Sequence, residues 1–448
     1  MLLVIAEFAE HERDINALVQ TSVRCYSCLN TFLYRHNIQS SGGTGRVSAA
    51  GNGNLRAVQK FLDLGVDVNW KSGPSGPTAL QSAALGGHIE VVRHLLKSER
   101  INLRYANDLG SVLGYAVYGG NTSVVKFLLR DSRINPNIKN TKLCAPIHQA
   151  ADTGNPDIMK LLLANKRVDP NLRGDTRRTA LHIAVRKGHH AVQKLLVEHT
   201  RVDPNLKAGP LDRTPLLEAI KAPAETRPED TLRTLLSSGR IDIEMADDRL
   251  RSALSLAAKA KSTAYIKILL EWGANIESLD GFQFTPLLTA SRTPGDLCDN
   301  VELLLNSGAD LRAVDREGRT ALALAAQYNN LKTVELLLRH GGSYGPESLV
   351  SCDRVNVNFK DDFGNTALHY ATYRASIRSA EILLGREETD ITVENKEGQS
   401  PIKLAATRGS ASLVAIHQKQ NTSIARKLLS METVDVDAED DQGMTPLR

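Results

Sequence analysis

Hydrophobic residues recur along this chain in two alternating rhythms. In one, apolar positions fall three and four residues apart, as in Val92-Arg93-His94-Leu95-Leu96, Val125-Lys126-Phe127-Leu128-Leu129 and Val334-Glu335-Leu336-Leu337-Leu338. That spacing sets them on one face of a helix. In the other, a short segment of the form Thr-(Pro/Ala)-Leu opens a run of small residues such as Ala83-Ala84, Ala257-Ala258, Ala325-Ala326 or Ala405-Ala406. Thr offers a side-chain oxygen to the free N–H groups of a helix start, and Pro fits the first turn, where no N–H is needed. Each segment therefore predicts a short first helix, which Gly87, Gly120, Gly154, Gly188 and Gly409 end by taking a backbone shape other residues resist.

The opening segments begin at Thr78, Ser111, Ala145, Thr179, Thr214, Ser252, Thr285, Thr320, Thr366, Ser400 and Thr445, at intervals of 33, 34, 34, 35, 38, 33, 35, 46, 34 and 45. The grammar is fullest from Thr179 to His189, followed by Val192, Leu195-Leu196 and Val202-Asp203-Pro204-Asn205. Polar turns such as Asn107-Asp108-Leu109-Gly110, Asp315-Arg316-Glu317-Gly318, Asp361-Asp362-Phe363-Gly364 and Asn395-Lys396-Glu397-Gly398 reverse the chain before the next segment. One helix pair cannot bury its apolar face alone, so pairs must stack and share a core, at roughly 1.5 to 3 kcal/mol per buried leucine. Leu195→Ala or Leu337→Ala is then expected to cost roughly 2 to 5 kcal/mol.

This pattern resembles the ankyrin-repeat family, whose period is about 33 residues. The resemblance implies an all-α fold, an elongated, curved ankyrin-repeat solenoid of helix pairs with protruding hairpin fingers. About eleven repeats would span 47–442, with surface insertions near 221–230, 292–299, 343–354 and 410–423. The first repeat, near Gly51 to Asn69, has a degenerate opening helix around Val47 to Gly53, and 443–448 starts a further, incomplete repeat. No polar cap closes that end, so the natural chain is expected to continue. His148, His182 and His369 stand at the position where the family's imidazole bridges backbone groups of adjacent repeats, which assigns them to structure rather than catalysis.

Residues 1–40 fall outside the period, and the Gly- and Ser-containing stretch 41–46 reads as a linker. Ile5, Phe8, Asp14-Ile15, Leu18, Thr21, Arg24, Leu29 and Leu33-Tyr34 make the segment similar to an F-box, as found joined to ankyrin arrays in filamentous fungi. That small helical module binds the adaptor subunit of cullin-type ubiquitin ligases, and the resemblance assigns adaptor contact here to Ile5, Phe8, Asp14, Ile15 and Leu18. The Leu-Pro pair that ordinarily opens the module is missing, so the expectation is a module truncated at its start. The plainer reading is a helical cap on the first repeat.

Composition narrows the function. Aromatic residues are only 4% of the chain against 42% hydrophobic, which suits thin helical layers built from Leu, Ala, Val and Ile. A net charge of +4 does not by itself point to a polyanion, so no nucleic acid is expected. Cys25, Cys28, Cys144, Cys298 and Cys352 are few and scattered, unlike a disulfide framework, and Cys25-Tyr26-Ser27-Cys28 has no second pair to complete a zinc site. The apolar start meets Glu7 and Glu10 too soon for a signal peptide or membrane span, so Asn121-Thr122-Ser123 and Asn421-Thr422-Ser423 read as chance matches to a glycosylation site. The expectation is a monomer in the cytoplasm or nucleus, with no membrane. Ser41-Gly42-Gly43-Thr44-Gly45-Arg46 lacks the lysine of a phosphate loop, and no nucleophile or carboxylate converges beside the histidines. No catalytic residue, metal or cofactor is expected.

Function should lie where the scaffold leaves residue identity open, at the last turn of each first helix and at the finger tips. The helix ends carry Tyr118, Asp152, Arg186, Lys187, Tyr328, Tyr373, Arg374 and Arg408, and the tips Trp70, Tyr105, Phe282 and Phe363. Tyr and Arg bury much area and still offer directed hydrogen bonds, which favours them at protein interfaces. The sequence thus predicts a module that grips one or more partner proteins on its concave face. Two versions stand: a substrate receptor of a cullin-type ubiquitin ligase, and a scaffold or regulatory protein with no ligase link.

Overall fold

The structure, a computed structural model, describes residues 44–340 and 355–405. Among these residues it is all-helical, with twenty complete α-helices, two short 3-10 turns and two isolated antiparallel bridges, Lys71 to Thr78 and Val314 to Thr320. No described helix is long and apolar enough to cross a membrane. Two compact units result. The first runs to Pro210 and takes in Ala222–Arg227; the second comprises Leu211–Lys221 and the described residues from Pro228 on.

The first unit contains the pairs Thr44–Gly51 with Leu55–Asp63, Ala79–Gly86 with Ile89–Leu95, Val112–Tyr118 with Thr122–Arg130, Pro146–Thr153 with Pro156–Ala164, and Ala180–Lys187 with His190–Glu198. Its opening helix starts at Thr44, inside the stretch read as a linker. The second unit contains Pro215–Lys221 with Pro228–Leu236, Ala253–Ala258 with Thr263–Glu271, Pro286–Arg292 with Cys298–Asn306, Ala321–Gln327 with Leu331–His340, and Ala367–Tyr373 with Ile377–Leu384. A further helix begins at Pro401. Within each unit, every first helix packs on the next first helix and every second helix on the next second helix.

Side-chain size explains the stacking. Ala83, Ala84, Ala150, Ala151, Ala184, Ala257, Ala258, Ala325 and Ala326 are fully buried, so the first helices approach closely. The second helices supply the bulk through Leu95, Leu128, Leu162, Leu196 and Leu337, all buried to 1% exposure or less. The register read around Leu195 is corrected by one residue. Leu195 is only half-buried, whereas Leu196 and Val197 are inside with Gln193, whose Nε2 donates to the Ala184 carbonyl at 3.1 Å. The reason is the repeat's own count: Leu196 stands seventeen residues after Thr179, as Leu95 does after Thr78 and Leu128 after Ser111, so the helix phase set at the N-cap turns the same position inward each time.

Polar side chains tie successive pairs together. Thr78, Ser111, Ser252, Thr285 and Thr320 each accept from an N–H three residues on, as expected of helix N-caps. Ala145 N–H donates to His148 Nδ1 at 3.0 Å, so Nε2 carries the proton and donates to the Leu172 carbonyl at 2.8 Å. His369 does the same between Thr366 and the Gln399 carbonyl, and Gln81 between Thr78 and the Gly110 carbonyl. Burial pushes both imidazoles below their ordinary value, so they work as neutral bridges. The insertion near 292–299 is also used: Asp296 accepts from the N–H groups of Lys332 and Thr333 and so caps the helix Leu331–His340.

Candidate partner-binding surface

The fingers are built around one side-chain acceptor, buried at Asp247, Asp315 and Asp361 and half-buried at Asn395. Asp247 Oδ1 accepts from the N–H groups of Arg249 and Arg251, Asp315 from those of Glu317 and Arg319, Asp361 from those of Phe363 and Asn365, and Asn395 from those of Glu397 and Gln399. Such a turn needs a left-handed residue at its fourth position, which Gly318, Gly364 and Gly398 supply. Fingers are also joined to each other: in the second unit Asp248 N–H donates to the Leu211 carbonyl, Gly281 N–H to Arg249, Asp362 N–H to Glu317 and Lys396 N–H to Phe363. The tips are therefore held on fixed backbone.

In the first unit, Tyr118 is 54% exposed at the end of its helix. Asp152 and Lys187, on adjacent first helices, form an ion pair at 2.9 Å with both side chains about half exposed, and Arg186 is exposed beside them. Trp70 is 39% exposed. Tyr105 departs from the free finger-tip aromatic expected from sequence. It is half-buried, its hydroxyl donates to the Gly76 carbonyl at 3.0 Å, and the Lys71 ammonium lies 4.6 Å from its ring centre. Tyr105 is thus partly spent on joining two neighbouring fingers.

In the second unit, Phe363 and Tyr373 come together. They line a cleft of about 380 Å³ with Tyr370, Lys396 and Leu404, and Arg374 lies 6.0 Å from the centre of the Tyr373 ring. Tyr370 forms part of the wall: its hydroxyl donates to Asp361 Oδ2 at 2.5 Å, and burial together with that carboxylate holds its phenol protonated far above the ordinary range. Phe282 is 60% exposed at a tip, above a buried Phe284 whose ring is covered by the Arg292 guanidinium at 4.2 Å. Tyr328 is half-buried. Ile5, Phe8, Asp14, Ile15, Leu18 and Arg408 lie outside the described residues, as do Cys25, Cys28, Cys352 and the insertions 343–354 and 410–423.

Sequence reasoning passed over two finger-tip leucines. Leu143 (φ 58°) and Leu250 (φ 57°) occupy the turn position that Gly318, Gly364 and Gly398 fill in other fingers and Gln283 (φ 62°) fills beside Phe282, and both leucines are exposed, at 53% and 60%. A non-glycine residue held there costs about 1–2 kcal/mol. The signal was present: aligning Asn140-Thr141-Lys142-Leu143 and Asp247-Asp248-Arg249-Leu250 with Asp315-Arg316-Glu317-Gly318 exposes both.

Comparison with known proteins agrees with this architecture. A family model described as ankyrin repeats (3 copies) matches residues 47–140, 147–247, 254–348 and 287–395. Dog inversin is similar at 28% identity over 209 residues, 46% of this chain and 18% of that protein. The bovine NF-kappa-B inhibitor zeta is 39% identical over 112 residues, 24% of this chain and 14% of that protein. The chain thus spans under a fifth of the length of these relatives. Among solved structures, the ankyrin repeat domain of Bcl-3 is similar at 26% identity with a TM-score of 0.43, covering 56% of this chain and 98% of that one.

Proposed function

Because the chain belongs to the ankyrin-repeat family, whose model matches well over half of it, we propose that it is a protein-binding array that grips its partner with first-helix ends and finger tips. One observation carries this reading: Phe363 from a finger and Tyr373 from a first helix, both large and both exposed, line one cleft on a backbone fully committed to the fold. Tyr118, Arg186 and the Asp152–Lys187 pair supply the same kind of contact in the first unit. Exposed aromatics on rigid supports bind with little loss of side-chain freedom.

The experiment is a pull-down from cell extract with the intact chain and with Tyr373→Ala and Phe363→Ala. Capture of the partner falls while the melting temperature holds. A melting temperature that drops in step with capture makes these core residues and ends the proposal.

The finer reading concerns residues 1–40. Their likeness to an F-box, through Ile5, Phe8, Asp14, Ile15 and Leu18, supports a substrate receptor that carries the gripped protein to a cullin-type ubiquitin ligase. Co-purification of the ligase adaptor with a chain bearing its full upstream sequence tests it. Without the adaptor, the scaffold reading stands.

A further inference from the structure

The net charge of +4 averages two unlike units. The described part of the first, 44–210 with 222–227, holds 25 lysines and arginines against 13 aspartates and glutamates, and that of the second holds 21 against 26. Half of the first unit's surplus lies on four second helices and the residues that close them. From Ile89 to Arg100, Thr122 to Arg133, Pro156 to Arg167 and His190 to Arg201 there are eleven cations and five acids. The pattern is periodic. Arg93, Lys126, Lys160 and Lys194 stand fifteen residues after Thr78, Ser111, Ala145 and Thr179, and Arg100, Arg133, Arg167 and Arg201 stand twenty-two residues after them.

Hydrogen bonds join the closing residues into one edge. Arg133 Nη2 donates to the carbonyl of the peptide that joins Leu96 to Lys97, at 3.0 Å. Arg167 donates to the peptide before Arg130, through the Leu129 carbonyl at 2.8 Å, and to the one before Arg133, through Ser132 at 3.2 Å. Arg201 reaches the peptide before Arg167, through the Lys166 carbonyl at 3.3 Å. Each guanidinium is thus seated beside cations of the preceding pair. Carbonyls carry no net charge, so these bonds fix Arg167 and Arg201 without neutralising them, and the exposed Lys97, Arg130 and Lys166 form no ion pair among the described residues. The acids are fewer or already engaged. Asp131 is paired with Arg133 at 2.7 Å, and Asp169 and Asp203, two residues past the closures, accept from the N–H groups of Asn171 and Asn205. Glu90–Arg93, Asp157–Lys160 and Glu198–Lys194 stand 3.6, 3.7 and 3.9 Å apart on exposed side chains, where water screens them, and Glu99 is exposed.

We propose that this edge of the first unit, led by Lys97, Arg130, Lys166, Arg167 and Arg201, docks the phosphate backbone of a double-stranded nucleic acid, as a second surface beside the protein-binding one. What the edge lacks selects the occupant. Among the described residues no large apolar side chain is exposed on these helices; the exposed ones of this unit, Trp70, Leu85, Tyr118 and Leu143, stand on first helices and fingers. Phe127 is half-buried, with the Arg93 guanidinium 5.0 Å from its ring centre. Protein interfaces are anchored by aromatic and apolar groups and are poor in lysine, and single strands are held by stacking on exposed rings. A duplex backbone needs neither, since lysine and arginine hold it through phosphates without reading bases. Packed helices lie about 8–10 Å apart, so successive pairs meet one strand roughly every three phosphates.

Fluorescence anisotropy of the full chain with a labelled DNA duplex tests this. The duplex binds, and its affinity falls by about 10²–10³-fold between about 50 and about 200 mM salt, as about five phosphate contacts require. Lys97→Ala, Arg130→Ala and Lys166→Ala together keep the carbonyls that the closures use. They lower the slope of log affinity against log salt by about three and leave the melting temperature unchanged. Lys139→Ala, Lys142→Ala and Lys207→Ala, an equal loss of charge from the fingers of the same unit, change that slope by less than about one. No binding of the duplex, an equal response to the finger substitutions, a melting temperature that falls with the helix-end substitutions, or tighter binding of a thymidine single strand, a polyglutamate peptide or phosphatidylserine vesicles each overturns the proposal. The Tyr373→Ala pull-down reads a cleft in the second unit, so either result stands without the other.

Discussion

In the first unit, the second helices Thr122–Arg130, Pro156–Ala164 and His190–Glu198 end in extended backbone at Asp131, Asn165 and His199. Two residues on stands an arginine that closes over the preceding pair. Arg167 donates to the carbonyls of Leu129, Asp131, Ser132 and Ile134, and Arg201 to those of Leu163, Asn165, Lys166 and Val168. Arg133 reaches the Leu96 carbonyl at 3.0 Å while paired with Asp131. In the second unit, Thr263–Glu271 and Cys298–Asn306 are instead followed by the left-handed glycines Gly273 and Gly308, where an added Cβ would meet no neighbour within 4 Å.

The loops repeat the contrast in part. Asn137 and Asn171 each donate to one group of the next pair and accept from another, while Glu244 and Glu277 only accept; in the second unit Asn358 keeps the two-way link, donating to the Glu388 carbonyl and accepting from Asp390 N–H. An arginine closure makes each helix end depend on its neighbour, and a glycine closure is local. Stability of a repeat array is a sum of unit terms and interface terms. The three arginine-closed pairs of the first unit therefore place more of their stability in interfaces, and the two glycine-closed pairs of the second more within themselves; Gly65, after Leu55–Asp63, gives the first unit one local closure of the second kind.

Substitutions can break or sharpen this contrast. Leu196→Ala and Leu337→Ala should each cost roughly 2 to 5 kcal/mol in denaturant unfolding, since both remove fully buried bulk; a small effect in one unit would mean its core is not shared. Arg201→Ala should cost about 1.5–3 kcal/mol, leaving carbonyls of the preceding pair without their charged donor. Hydrogen exchange should quicken in Pro156–Ala164 as well as in the mutated pair, and exchange confined to the mutated pair would erase the proposed coupling. Gly308→Ala should cost about 1–2 kcal/mol through backbone strain, with faster exchange in its own pair alone.

The smallest effect is one of pH, and here the units should agree. His148 and His369 are held below 6.5 when folded, so the unfolded chain takes up protons first as pH falls. Their contribution is complete above pH 6.5 and is lost below it until the folded imidazoles also protonate. His148→Gln and His369→Gln, copying Gln81, should each flatten the fall in melting temperature between about pH 7 and about pH 5. An unchanged slope would show that these bridges do not couple to protons.

The fold was legible because its signals are local and repeated. Helix starts at Thr78, Thr285 and Thr320 and stops at Gly87, Gly154 and Gly188 follow from residues a few positions apart, while the bridging role of His148 and His369 came from the family resemblance, its carbonyl partners Leu172 and Gln399 lying in the next finger. The candidate surface was legible only in part. Tyr118, Tyr373, Phe282 and Phe363 are exposed as expected, but the partly spent Tyr105 depends on contacts about thirty residues away, with Gly76 and Lys71. The arginine closures escaped notice because an exposed-looking Arg-Val-Asp-Pro-Asn run does not say which carbonyls its guanidinium will meet.

The sequence by itself determined the helix pairs, their period and the need to stack, because capping, glycine stops and apolar spacing act within one or two turns. Only the tertiary structure decided that Arg201 ties one pair to the one before it and that Phe363 and Tyr373 line one cleft. Those outcomes depend on where the next pair's atoms lie, and distance in space between separate repeats is not written in the order of residues.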